Sequence, residues 1–366
     1  MQTQTLAPTQ MLAPTQTLAP TMGSPQPAAL MDDAADKFVA RITLPDEARD
    51  ALFLATRELP NPYTSPRPFV ARTLPALAAN LGADLAEVLA FGADPAAPGA
   101  LLIDNLPVDP HLPATPTDGE PSPDQSSFVG EACVLGLAKL IGEPVGYETE
   151  KSGRVIHNLV PVAGAEITQS NRGSKVLLNF HNDSVYDESL HFHRFNPDFI
   201  ILYCHRPDVH GEAVTHFVDA RKLVDVLDTR DIDLLRSPLF RMAAPSNFTM
   251  LMNKGEKIWS QAMPVLTGRS DCPEITIAAN GVEALDDAAA GALSRLYEAC
   301  RDPLHRQDVA LRHGQALLIN NRKGVHARSA FNPTFGPHER WLLRANVRRD
   351  IWGMRGRWTG RDLVFA

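Results

Sequence analysis

Cysteine is scarce in this chain. The four residues Cys133, Cys204, Cys272 and Cys300 stand far apart in 366 positions and form no Cys-x-x-Cys pair. A disulfide framework or a structural zinc site therefore has no support, and a reducing cytoplasm is the expected compartment. Long apolar runs are lacking too. None approaches the roughly 18–20 residues that cross a bilayer, so no membrane span is expected. No Gly-x-Gly-x-x-Gly or P-loop pattern follows a strand-like run, which leaves nucleotide binding without support. Positive charge is short as well: the net charge of −8 argues against nucleic acid or an anionic membrane as partner. No Lys or Arg precedes Lys37, so the basic n-region of a secretory signal is missing.

What is present suits a soluble globular enzyme, with 44% hydrophobic and 21% charged residues. Residues 1–30 repeat Leu-Ala-Pro at Leu6, Leu12 and Leu18. Proline at every sixth place prevents a continuous helix, and there is little apolar side chain to bury. A disordered tail is expected there, followed by a single domain over 31–366.

From Asp32 to about Phe91 the spacing predicts helices, in DDAADKFVARI, PDEARDALFLATREL, LPALAANL and DLAEVLAF. ALLIDNLPV reads as a buried strand, 110–126 as a proline-rich loop, and SSFVGEACVLGLAKLIGEP as a helix closed by Gly142. Beyond it, GRVIHNLVPV, KVLLNF, PDFIILYC, EAVTHFVDA, PVLTG, EITIA, QALLINN and WLLRANVRR are short and β-rich. Helical patterns return in DARKLVDVLD and ALDDAAAGALSRLYEAC. Many short strands with interspersed helices predict an α+β jelly roll rather than a doubly wound sheet. Its helical part spans 31–98 and its β core about 99–350.

VLLNFHNDSVYD runs an apolar strand into His181-Asn182-Asp183. Residues i and i+2 point the same way on a strand, so His181 and Asp183 suit two ligands of one metal, or the polar lip of a turn. A second such triplet, His210-Gly211-Glu212, sits among Pro207 and Asp208 and reads as an exposed turn. A third ligand has to come from a distant strand. LLINNRKGVHARSAFNP offers His326, and fourteen residues later Arg340, Leu342 and Arg344 share one strand face. Two arginines on such a face either meet anions or lie on a solvated edge strand.

HND, GVHAR and HERWLLR together resemble the clavaminate synthase-like Fe(II)/2-oxoglutarate-dependent oxygenases, related to taurine dioxygenase. The likeness covers about residues 98–350 and is nearest to the free amino-acid hydroxylases of peptide-antibiotic pathways, the arginine hydroxylases and asparagine oxygenases. It implies a double-stranded β-helix core in which His181, Asp183 and His326 hold Fe(II). Arg340 would pair with the distal carboxylate of 2-oxoglutarate, and Thr215 would add a hydroxyl there. Arg344 would receive the α-carboxylate of a small-molecule amino-acid substrate, and Glu150 would lie near its amino end. With O₂ the implied reaction is hydroxylation of an unactivated carbon, coupled to decarboxylation of 2-oxoglutarate to succinate. Arginine hydroxylases carry acidic residues where this chain has Ala278, Ala279 and Asn280, so free arginine is a poor fit and another polar or basic amino acid is expected.

Other readings stay open on the residues alone. They are a carrier-tethered or sulfonate substrate, a desaturation or ring-closing outcome, a jelly-roll binding protein with a vestigial triad, and a zinc hydrolase. The zinc reading leaves Arg340 unexplained. Asp187, Glu188, His191 and His193 lie in a long stretch, 183–198, that reads as a solvated loop or a substrate-cation site. His157, His205 and His216 read as packing histidines, Trp352 and Trp358 as anchors of the C-terminal tail, and 247–261 as a lid or an ordinary hairpin.

Overall fold

A computed structural model describes residues 38–366, except 171, 186–193, 247 and 250–255. The 247–261 reading and that for Asp187, Glu188, His191 and His193 fall wholly or partly outside the described residues. β1 (Val39–Thr43) runs parallel to β2 (Ala100–Asp104), with Ile42 opposite Ile103. This corrects the helical reading of DDAADKFVARI over its described part. Val39, Ile42 and Thr43 are β-branched, and Phe38 and Ile42 reach the core, so the segment gains more as a strand beside β2.

Three helices then form as expected, with shifted ends. α1 (Asp46–Thr56) places Pro45 at the cap position rather than inside the first turn. α2 (Pro66–Asn80) begins well before LPALAANL and keeps Pro75 within it. α3 (Leu85–Ala93) follows, and 110–126 has neither helix nor strand. In α4 (Val129–Ile141) every residue except Lys139 and Leu140 is buried. No single helix among the described residues is long and apolar enough to cross a membrane.

The β-rich part supplies β3 (Glu143–Tyr147), β4 (Ile156–Leu159), β5 (Leu178–His181), β6 (Phe199–Arg206) and β7 (Thr215–Asp219). Two small ribbons follow, β8 (Phe240–Met242) with β11 (Val282–Ala284), and β9 (Leu266–Arg269) with β10 (Cys272–Ile275). The stretch EITIAANGVEAL is therefore two strands with a break between them. Helix Asp287–Arg301 leads to β12 (Gln307–Val309), β13 (Ala316–Asn320), β14 (Gly324–Arg328), β15 (Trp341–Arg348) and β16 (Val364–Phe365).

The large sheet has the order β1-β2-β13-β6-β15-β3-β16, with β4 also on β15, and the small one the order β12-β7-β14-β5. Alternation along the strands explains how they stack. Leu101, Ile103, Phe199, Ile201, Tyr203, Leu343 and Val347 pack outward among α2, α3 and α4. Their neighbours Leu102, Ile200, Leu202, Leu317 and Ile319 point inward and meet Phe217 of the small sheet. The outer face of the small sheet, Phe180, Val218, Val325 and Ala327, is covered by Leu293 and Leu296 of the helix Asp287–Arg301. Strands buried on both faces read as continuous apolar runs, and together the two sheets make the jelly roll expected.

The tail is held differently from the expectation. Trp352 and Trp358 are 72% and 56% exposed. Smaller apolar groups do the anchoring, as Met354 and Phe365 pack against Val145 and Tyr147. Beside them, Lys151, Ser152 and Gly153 all adopt positive φ, in a turn laid against Gly146. A Cβ on Gly146 would stand 2.2 Å from the carbonyl oxygen of Gly153. Gly146→Ala should therefore destabilise the fold by about 1–3 kcal/mol. Urea denaturation checks this, and an unchanged midpoint would show that the turn yields freely.

Candidate active site

The site begins with a strand register. In the small sheet His326 of β14 stands opposite His181 of β5, and their ring centroids are 4.4 Å apart. On β14, Val325 and Ala327 face the outer core, so His326 and Arg328 face inward. Asp183 follows the end of β5. Its Oδ1 lies 3.4 Å from Nε2 of His181 and 3.7 Å from Nε2 of His326.

Asn182, between the two candidate ligands, is fully buried and fixes this geometry. Its side-chain amide donates to the carbonyls of Asn321 (2.7 Å) and Gly324 (2.9 Å), and its Oδ1 accepts from Ile277 N–H (2.8 Å). Asn321 completes the clamp by donating to the Asp183 carbonyl (2.8 Å) and accepting from its N–H (2.9 Å). The sequence reading missed both asparagines. The only signal available was Asn182 itself, a further polar side chain set between two candidate ligands.

These three residues fit a metal. Each offers one ligand atom, and those atoms lie within 4.8 Å of one another. Two atoms bound to one ion at about 2.1 Å stand at most about 4.2 Å apart, which both measured pairs satisfy. His181 donates from Nδ1 to the Asn179 carbonyl (2.7 Å), leaving Nε2 as the free lone pair on the Asp183 side. Burial, reinforced by His181, pushes the His326 imidazole down to about 3, so it stays neutral as a ligand must. Two imidazoles and one carboxylate make the facial set that suits non-haem iron.

Arg344 lies on the other side of Asp183. β15 is a central strand between β6 and the β3–β4 side, which excludes the solvated-edge reading of its arginines. Arg344 Nη1 donates to Asp183 Oδ2 (2.8 Å), so one carboxylate oxygen faces the imidazoles and the other the guanidinium. Nη2 donates to Glu150 Oε1 and to Nδ1 of His157 (2.7 Å), while Nε has no partner among the described residues. Burial alone would raise the Asp183 and Glu150 carboxyls, but Arg344 together with the neighbouring histidines, His181 and His326 at Asp183 and His157 at Glu150, holds both below the usual carboxylate range. Burial would likewise lower Arg344, yet Asp183 and Glu150 hold it above its ordinary value.

His157 is thus more than the packing histidine expected. Burial pushes it down to about 4, and the neutral ring donates from Nε2 to the Arg154 carbonyl (2.8 Å) while accepting from Arg344. His216 meets Asp308 at 2.6 Å, and His210 and Glu212 lie in an exposed turn at Gly211, as expected.

All seven candidate residues line one cavity of about 560 Å³, with Leu159, Leu202 and Leu342 forming an apolar stretch of its wall. Arg340 is 7% exposed, and among the described residues no carboxylate lies within 4 Å of its guanidinium. Its guanidinium rests over the Phe331 ring, and burial lowers its affinity for the proton. Buried Thr215 lines the same cavity. The wall also includes Ala243, Ser246, Ala279 and Asn280, none of them charged.

A jelly roll with two imidazoles and a carboxylate converging between its sheets defines a mononuclear non-haem iron oxygenase. Residues 122–346 match the taurine catabolism dioxygenase TauD, TfdA family, and the chain belongs to that family. It is 33% identical over 270 residues to L-asparagine oxygenase of Streptomyces coelicolor, covering 72% of this chain and 75% of that protein. Over 309 residues it is 31% identical to clavaminate synthase 2 of Streptomyces clavuligerus, covering 82% and 90%. A solved structure of asparagine oxygenase with Fe(II), (2S,3S)-3-hydroxyasparagine and succinate aligns at a TM-score of 0.76 and 29% identity, covering 89% of this chain and 98% of that one. The protein is a 2-oxoglutarate-dependent dioxygenase with Fe(II) and 2-oxoglutarate as cofactors.

Removing the arginine strands two half-buried acids. Arg344→Met should cost about 3–5 kcal/mol of unfolding free energy, because Asp183 and Glu150 lose their shared cation. A loss below about 1 kcal/mol in urea titrations would contradict the closed geometry described.

Proposed function

We propose that this dioxygenase hydroxylates an unactivated carbon of a free polar L-amino acid, with His181, Asp183 and His326 as the iron ligands. The supporting observation is the division of labour around Asp183, whose two oxygens separate an imidazole pair from a buried guanidinium. In this reading Arg344 receives the substrate α-carboxylate, and Glu150 the α-ammonium. Arg340, buried without a carboxylate partner among the described residues, takes the distal carboxylate of 2-oxoglutarate, and Thr215 adds a hydroxyl. The relatives named above include enzymes of asparagine and clavaminate chemistry, which supports a small amino-acid-like substrate.

With iron and 2-oxoglutarate in place, O₂ gives one oxygen atom to succinate and one to the substrate carbon as CO₂ leaves. The protein's own part is positional. Arg344 and Glu150 fix the substrate's α-carbon end, and Asn182 and Asn321 hold the Asp183 backbone against drift. Leu159, Leu202 and Leu342 keep water from the reacting carbon. Ser246 and Asn280 offer hydrogen bonds to a side chain, Ala243 and Ala279 beside them are apolar, and the further carboxylate on the cavity wall, Glu120, is already paired with Arg154. An uncharged polar side chain is favoured over arginine for that reason. The reading takes 31–366 as one catalytic domain behind the 1–30 tail, in the cytoplasm.

Anaerobic reconstitution with Fe(II) and 2-oxoglutarate, then O₂ and a panel of free L-amino acids, tests the reading. At least one polar amino acid should gain one oxygen atom and yield stoichiometric succinate; a panel with no coupled member would refute it. His326→Ala should lower turnover by more than the roughly 10–100-fold that loss of an outer partner costs, with an unchanged circular dichroism spectrum. Arg340→Gln should raise the KM for 2-oxoglutarate about 10–100-fold, as expected for losing a charge-assisted contact. An unaltered KM would remove Arg340 from its role.

A further inference from the structure

A second group of metal-ligand side chains lies in the other core of the molecule, behind the large sheet. Asp109 follows β2, Glu131 is in the first turn of α4, and His205 is near the end of β6. Their relative exposures are 3%, 0% and 1%. One ligand atom from each lies within 4.8 Å of the other two, the same limit that His181, Asp183 and His326 meet. Nε2 of His205 is 3.7 Å from Glu131 Oε1, and its Nδ1 is 4.0 Å from Asp109 Oδ2.

The carboxylates are partly occupied by neutral donors. Asp109 accepts from the N–H groups of Val129 (3.0 Å) and Gly130 (3.1 Å). Glu131 Oε1 accepts from Tyr63 OH (3.1 Å) and Gln125 Nε2 (2.9 Å). Among the described residues no Lys or Arg forms an ion pair with either acid; His205 lies against both, and His313 acts on Asp109 only from farther off. One imidazolium would leave a net negative charge in a dry core, which is costly.

The histidine is not used as an imidazolium would be. Neither ring nitrogen makes a hydrogen bond, although an imidazolium there would donate to both acids at about 2.8 Å. Glu131 Oε2, Gln125 Oε1 and Ser127 Oγ are also buried without partners. The 3.7 Å and 4.0 Å spacings are short for a bridging water, whose two partners stand roughly 4.5 Å apart. One ion takes one ring nitrogen, from which both carboxylates lie within 4.8 Å, so a modest side-chain shift brings the set to the at most about 4.2 Å that ligands of one ion allow.

We propose that Asp109, Glu131 and His205 bind a first-row divalent cation of the zinc or manganese class, with Gln125 Oε1 as a further oxygen ligand. Nitrogen and carboxylate donors suit such an ion, and two carboxylates neutralise its charge. It ties the loop after β2, helix α4 and strand β6 at one point. His205 lies against Trp341, ring centroids 4.8 Å apart, so the ion also backs the residue next to Arg340. The role is structural and independent of the oxygenase reading.

The test counts metal in full-length His181→Ala/His326→Ala protein, exposed to Zn²⁺ or Mn²⁺, desalted and analysed by mass spectrometry. About one equivalent per chain should remain, and adding Glu131→Gln should remove it; His205→Gln serves the same comparison if the former does not fold. Zn²⁺ at about 100 times its Kd should raise the Tm of the chelator-treated double variant by about 4 °C. A folded double variant that keeps no stoichiometric metal and gains no Tm overturns the proposal. Equal retention in the Glu131→Gln or His205→Gln protein overturns it too, since the metal would then sit elsewhere.

Discussion

His181 faces His326 across an antiparallel ladder, and the geometry of the catalytic cavity follows from that register. A slip of one residue would turn one imidazole to the outer face and put Val325 or Ala327 in its place. The register is held from both sides of β14. Five consecutive residues, Gly324 to Arg328, pair with β7, while the edge toward β5 is irregular just past His326. The irregularity falls between the His326–His181 and Arg328–Leu178 pairs, on the strand side of the imidazoles and away from Asp183.

Charge placement is the second constraint. Buried ions are tolerable only when opposed, and the cavity opposes them in a graded way. Arg344 commits both terminal nitrogens to Asp183, Glu150 and His157 and leaves only Nε without a partner among the described residues. Arg340, four residues earlier on the same strand, has an aromatic ring beneath it and no described carboxylate beside it. One arginine therefore has most of its donors committed within the site, whereas the other has its charge unanswered by any described carboxylate. The same residue type on one strand plays two roles because its neighbours differ.

Much of this was legible in the sequence. Alternation revealed the inward face of β15, and the apolar runs of β2, β6 and β13 announced strands covered on both sides. The spacing of His181, Asp183, His326, Arg340 and Arg344 carried the site through its family resemblance. Three things were hidden for physical reasons. β1 looked helical because a five-residue segment beside a charged stretch carries too short a period to distinguish the two patterns. His157, Asn182 and Asn321 gain their roles only from tertiary partners up to 187 positions away, which local pattern does not encode. Trp352 and Trp358 were read by hydrophobicity alone, whereas exposure depends on what room the fold leaves.

The hydrogen bonds of Asn182 bear on how the cofactor comes and goes. Its amide joins the liganding loop to the backbone of Asn321, Gly324 and Ile277, three points that the fold fixes on its own account. The loop is thus rigid through ordinary protein contacts and pays no ordering entropy when a cation arrives. Folding thereby does not wait on occupancy, unlike the zinc fingers that collapse on chelation. Iron lost to oxidation leaves behind a cradle already shaped for its replacement, and the enzyme can be recharged in place rather than refolded.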